Sequence, residues 1–124
     1  MQHDIISDAL STVRNAECVG KTLCTVPNSK LVKAILESLQ KAGYIGQIKA
    51  SGRVIRVQLL GKINALYAVR PRFSVARDDF QKFERRYLPA HDVGVIIVST
   101  SQGIMMHKEA IEKRIGGRLL AYVY

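Results

Sequence analysis

The 124-residue sequence has little with which to staple, stiffen or anchor itself. Two cysteines are too few to hold a fold of this size as a disulfide scaffold. Cys18 and Cys24 lack CxxC spacing, and His3, His91 and His107 lie far apart. No metal site is therefore expected, and both thiols read as free and partly buried, as in a reducing compartment. Three prolines against 48% apolar residues exclude a disordered tail. No apolar run approaches the ~20 residues needed to span a bilayer, and Met1-Gln2-His3-Asp4 does not read as the start of a signal peptide. The phosphate-loop pattern GxxxxGK[ST] is absent, as are GxSxG, HExxH and any DxD-type carboxylate cluster. Ser99 or Ser101 beside His91 or His107 is conceivable as a nucleophile and base, but no motif surrounds either pairing. The expectation is a basic intracellular domain or pair of small domains, with no enzymatic activity, no cofactor, no membrane and no small-molecule substrate.

Negative charge is also scarce. Lys and Arg number 19 against 10 Asp and Glu, which gives a net charge of +9 and a pI near 9.9. The excess is spread along the chain: 8 basic and 4 acidic residues lie in 1–60, and 11 and 6 in 61–124. A basic body of this kind points to a polyanion, with nucleic acid ahead of an anionic membrane surface. Charge alone also fits a protein that is merely basic and soluble.

The apolar pattern gives the fold class. Ile5, Ile6, Ala9, Leu10, Val13 and Ala16 recur at helical spacing behind Asp4, a candidate N-cap, and the pattern stops by Gly20. Thr22–Val26 reads as a strand. Pro27-Asn28-Ser29 then opens a second helix with Leu31, Val32, Ile35, Leu36 and Leu39 on its apolar face, ended by Gly43. Tyr44–Ala50 and Arg53–Leu60 flank Ser51-Gly52 as a hairpin whose second strand has one largely polar face. Gly61-Lys62-Ile63-Asn64 reads as a linker. Beyond it, Ala65–Val69 and Phe73–Ala76 read as short strands, and Asp78–Tyr87 as a short helix stopped by Pro89. Val93–Thr100 is the most apolar run and reads as a buried strand. Ser101-Gln102-Gly103 turns, Lys108–Arg114 is a short helix ended by Gly116-Gly117, and Leu119–Tyr124 is a closing strand. The class is α/β (α+β). An N-terminal α-β-α-β-β domain over 1–61 precedes a mainly β C-terminal domain with a short helix over 62–124.

Five segments could carry chemistry. Ser99, Thr100, Ser101, Gln102 and Gly103 hang hydroxyls and an amide on a rigid strand, which suits the RNA minor groove and its 2′-hydroxyls. The same residues also suit a turn with no partner. Gly116, Gly117 and Arg118 offer bare backbone and a guanidinium, or simply a helix end and a strand start. Arg70 and Arg72 around Pro71 can reach phosphates, with Phe73 favoured as core. Ser29, Lys30 and Lys33 form either a solvated helix start or a phosphate clamp. Lys82, Arg85 and Arg86 make a basic face that Asp78, Asp79 and Glu84 partly offset.

Together these segments resemble the small-subunit ribosomal protein S8 family over nearly the whole chain. The resemblance is carried by Asp8-Ala9-Leu10, Arg14-Asn15-Ala16, Pro27-Asn28-Ser29-Lys30-Leu31, Gly43-Tyr44-Ile45-Gly46, the run Gly94–Gly103 and the ending Gly116–Tyr124. Pro71-Arg72-Phe73, Tyr87-Leu88-Pro89-Ala90 and the last nine residues look like its archaeal and eukaryotic branch. The resemblance implies a structural constituent of the small ribosomal subunit that binds the central domain of small-subunit rRNA, supports assembly and lies beside other small-subunit proteins in the cytoplasm. It assigns the principal contact to Ser99, Thr100, Ser101 and Gly103, a neighbouring surface to Gly116, Gly117 and Arg118, and a second contact to Ser29 and Lys30. The alternative is a sequence-indifferent RNA-binding or protein-interaction module. Three features depart from the family. Arg118 stands where bacterial members have Glu. Met106 stands where a helix-capping Ser, Thr or Asp is usual. The 50–53 turn is shorter than in many archaeal and eukaryotic members.

Overall fold

Ile6, Ala9, Leu10, Val13 and Ala16, spaced by three or four residues, are all buried along helix α1 (Ile5–Cys18) of the computed structural model. The structure describes residues 5–69, 74–76, 78–90 and 93–124; Asp4, with the cap expected of it, lies outside them, as do Arg70, Pro71, Arg72, Phe73 and His91. The chain divides into two compact units, Met1–Leu66 and Tyr67–Tyr124.

In the first unit, strand β1 (Leu23–Pro27) is followed by helix α2 (Lys30–Lys41) and the hairpin β2 (Ile45–Ser51) and β3 (Val54–Leu59). The three strands form an antiparallel sheet in the order β1-β3-β2. Alternation dictates its two faces. Ile55, Val57 and Leu59 of β3 are buried while Val54, Arg56 and Gln58 are exposed. Helix α2 buries Val32, Ile35, Leu36 and Leu39, each worth about 2 kcal/mol of transfer free energy. Leu31, expected on that face, is only half-buried. Both helices close with the same device. Gly20 and Gly43 take positive φ, and the next residue donates back to the helix, Lys21 N–H to Ala16 and Tyr44 N–H to Leu39. The hairpin turn is Gly52-Arg53 rather than Ser51-Gly52, because Ser51 still pairs with Val54 and the positive φ falls on Gly52. In the stretch read as a linker, Gly61, Lys62 and Asn64 are exposed and Ile63 is buried.

The second sheet contains β4 (Leu66–Ala68), β5 (Ser74–Val75), β6 (Val95–Thr100), β7 (Gly103–Met106) and β8 (Gly117–Val123). β8 is central: β6 lies on one side of it, and β4 and β5 pair with it as well. Helices α3 (Phe80–Tyr87) and α4 (His107–Lys113) complete the described elements. The core gathers Val75 from β5, Phe80 and Phe83 from α3, Ile96 and Val98 from β6, Met105 from β7, Ala110 from α4 and Leu119 from β8.

Three expectations are corrected here. Residues 103–106 form a strand, although the turn was read through Gly103 and no element was read over 104–106, because Ile104-Met105-Met106 becomes extended by pairing with β6. Helix α4 is capped by Arg114 in the left-handed region (φ 56°), not by Gly116-Gly117. Gly117 belongs to β8, which therefore begins two residues before the expected Leu119.

Candidate nucleic-acid interface

The hydroxyl-rich segment is a two-residue hairpin. Thr100 pairs with Gly103, which leaves Ser101 and Gln102 at the tip, both exposed. Behind the tip, Ile96 and Val98 are fully buried and fix the strand that carries it. Gly103 takes φ 111°, a backbone conformation that favours glycine, and the space a side chain would enter is open. Thr100 serves the turn itself. Its Oγ1 donates to the Gly103 carbonyl at 2.8 Å and accepts the Gln102 N–H at 3.2 Å. Among the described residues the hydroxyls of Ser99 and Ser101 have no hydrogen-bond partner. The five candidates therefore divide: Thr100 and Gly103 shape the hairpin, while Ser99, Ser101 and Gln102 keep polar groups available.

Register carries the site onto the neighbouring strand. Ser99 stands opposite Arg118 of β8, and Arg118 stands opposite Ser74 of β5. Directly opposed residues share a face, so Ser99, Arg118 and Ser74 form a row. Arg118 is exposed and makes no ion pair among the described residues. Ser74 was invisible to sequence reasoning, because only strand pairing brings it here. Gly117 has a structural duty: a Cβ there would lie 2.3 Å from the Ser99 carbonyl oxygen and 2.8 Å from Val98 Cγ1. Its missing side chain lets β8 lie against β6. Gly116 is half-buried beside it.

Helix α4 starts without a side-chain cap at Met106, as the departure from the family pattern implies. The next residue anchors it instead. His107 is buried, and its Nδ1 accepts the Ile96 N–H at 3.0 Å while Nε2 lies 2.9 Å from Glu84 Oε1. Burial lowers its pKa, Glu84 opposes that shift and Lys108 adds to it, and the net direction is down. With both ring nitrogens engaged, His107 cannot serve Ser99 or Ser101 as a base. Cys24 is half-buried, with its thiol pushed up by burial and then by the Glu17 carboxylate, whereas Cys18 is exposed rather than partly buried.

The remaining cations behave differently from one another. On α3, Lys82 lies over the Phe83 ring at 5.7 Å and Arg86 over Tyr87 at 5.5 Å, while Arg85 lines a surface depression with Gln81, Leu88 and Pro89. Ser29 and Lys30 belong to the first unit. Ser29 Oγ accepts the Val32 N–H at 3.1 Å and caps α2, and Lys30 is exposed in its first turn. Arg70 and Arg72 lie outside the described residues.

This arrangement has the chemistry of a surface for ribose and phosphate: neutral donors at a fixed tip, with a guanidinium in the adjoining row. The family model for ribosomal protein S8 matches residues 4–124.

Proposed function

The chain belongs to the ribosomal protein S8 family, whose members are structural, rRNA-binding proteins of the small ribosomal subunit rather than enzymes, and from that premise we propose that it binds the central domain of small-subunit rRNA and supports subunit assembly, as a member of the archaeal and eukaryotic branch. The family works at the ribosome in the cytoplasm beside other small-subunit proteins. Among the described residues no helix is long and apolar enough to cross a membrane.

The observation that carries the reading is the hydroxyl of Ser101, without a partner among the described residues, at the tip of a hairpin that Thr100 closes from within. A helix of RNA displays 2′-hydroxyls and base edges across a wide, shallow minor groove. A short donor and acceptor on a fixed tip can read that shape, and Arg118 and Ser99 follow it along the neighbouring backbone. Long-range affinity comes from the basic body and is salt-dependent. In this reading Ser29 and Lys30 make the second contact, and Arg70 and Arg72 add phosphate contacts.

Nuclease footprinting on small-subunit rRNA, followed by titration of the protected helix with Ser101→Ala, tests it. Losing one hydrogen bond of about 1 kcal/mol weakens binding about fivefold, with the melting temperature unchanged. Equal affinity of the unaltered protein for that helix and for an arbitrary duplex, held across a salt titration, overturns the reading in favour of a sequence-indifferent RNA-binding module.

A further inference from the structure

The three strands of the first sheet contain no aspartate or glutamate. Their exposed face carries Leu23, Thr25 and Pro27 from β1, Val54, Arg56 and Gln58 from β3, and Gln47, Lys49 and Ser51 from β2. Lys49 and Arg56 are direct cross-strand partners, with Thr25 on the far side of Arg56. Like charges placed opposite each other destabilise a sheet, and the usual remedy is a carboxylate between them. This face has none. Both side chains are exposed, and neither has an ion partner among the described residues. Arg53 at the hairpin turn and Lys21 before β1 are exposed and equally unpaired.

We propose that this face is a further polyanion contact, separate from the hairpin tip and from Ser29 and Lys30, that takes the sugar-phosphate backbone of an RNA helix, with Lys49 and Arg56 straddling adjacent phosphates; it rests on the rRNA-binding reading above. The lining of the face selects this occupant. A shallow depression is bounded by Thr22, Leu23, Gln47, Lys49, Arg56 and Gln58, so polar donors surround the cations. Gln58 Oε1 accepts the Gln47 N–H at 3.1 Å, which commits the oxygen and leaves the amide nitrogen as a donor. Gly46 makes that posture possible, since a Cβ there would lie 2.5 Å from Gln58 Oε1. Among the described residues no aromatic ring belongs to the three strands, so the face lacks the platform on which single-stranded bases stack. A protein partner calls for an interface centre enriched in aromatic residues and depleted of charge, whereas here the centre is the charge.

The test is the double variant Lys49→Gln plus Arg56→Gln in the full chain, titrated against transcribed small-subunit rRNA and against an arbitrary RNA duplex over a series of salt concentrations. Two lost phosphate contacts reduce the slope of log K against log salt by about 1.8. The reduction appears with both RNAs, because backbone contacts carry no sequence information. The melting temperature holds or rises, since an opposed like-charge pair has been removed. An unchanged slope with unchanged affinity overturns the proposal. An unchanged slope with lost binding to polyglutamate overturns it in favour of an acidic protein partner. Failure of the hairpin reading has a different signature, the unaltered protein showing no preference for rRNA over the arbitrary duplex.

Discussion

Ile96 donates its backbone N–H to Nδ1 of His107 at 3.0 Å, one residue beyond the point where β7 ends. The β6–β7 ladder runs from Thr100 and Gly103 to Ile97 and Met106. At the next donor the imidazole stands in for a strand carbonyl. Nδ1 accepts, so the neutral ring carries its proton on Nε2 and offers it to Glu84 Oε1 at 2.9 Å. One side chain thereby ties α3, α4 and β6 together.

That arrangement makes stability depend on pH. Burial is the largest influence on His107 and depresses its pKa below the ordinary imidazole value, Glu84 raises it, and Lys108 lowers it further. The unfolded chain therefore binds a proton first as pH falls, and the stabilisation, fully present above about pH 6.5, is lost as pH drops toward the depressed folded value. Urea midpoints should fall between pH 7 and pH 5. The fall should be smaller in His107→Leu, which at neutral pH is itself destabilised by about 2 kcal/mol because the Ile96 N–H loses its acceptor. Parallel pH profiles for the two proteins would refute the assignment.

Gly117→Ala should cost about 3 kcal/mol, the upper range for overpacking. A Cβ 2.3 Å from the Ser99 carbonyl oxygen must push β8 off β6. RNA affinity should then fall in step with the melting temperature. An alanine variant that keeps its melting temperature but loses RNA would reverse the interpretation and make Gly117 a contact residue.

Arg114→Gly should stabilise the protein by about 1 kcal/mol. Arg114 is an exposed non-glycine residue at φ 56° and ψ 44°, a conformation that disfavours a Cβ. The Ile115 N–H already donates to the Ala110 carbonyl, so glycine keeps the cap and removes the strain. Thermal unfolding measures the gain, and an unchanged or lower midpoint would contradict it.

The parts legible in the sequence are those that periodicity governs. The apolar positions of α1 and α2 and the polar outer face of β3 follow from spacing alone. Gly43 was readable as a helix end because a left-handed residue is needed there and glycine supplies it most easily. Arg114 performs the same function without glycine, so the rule pointed two residues too late. Strand β7 was hidden because it is only four residues long and just Ile104 favours a strand, so the segment is made extended by its partner. At the candidate site the hydroxyl run was plain, but its division of labour was not. Residue type does not separate the engaged oxygen of Thr100 from the unengaged one of Ser101. Nor does it separate a glycine that yields room to a ligand from Gly117, which yields room to Ser99.

The hydrogen bonds of Thr100 to Gly103 and Gln102 have one more consequence. In the proposed contact, a turn braced by these bonds before any encounter surrenders little backbone freedom on docking, so the entropy of ordering falls mainly on the other molecule. On the proposed reading the burden of adaptation rests with the nucleic acid, whose grooves must accommodate a preorganised template.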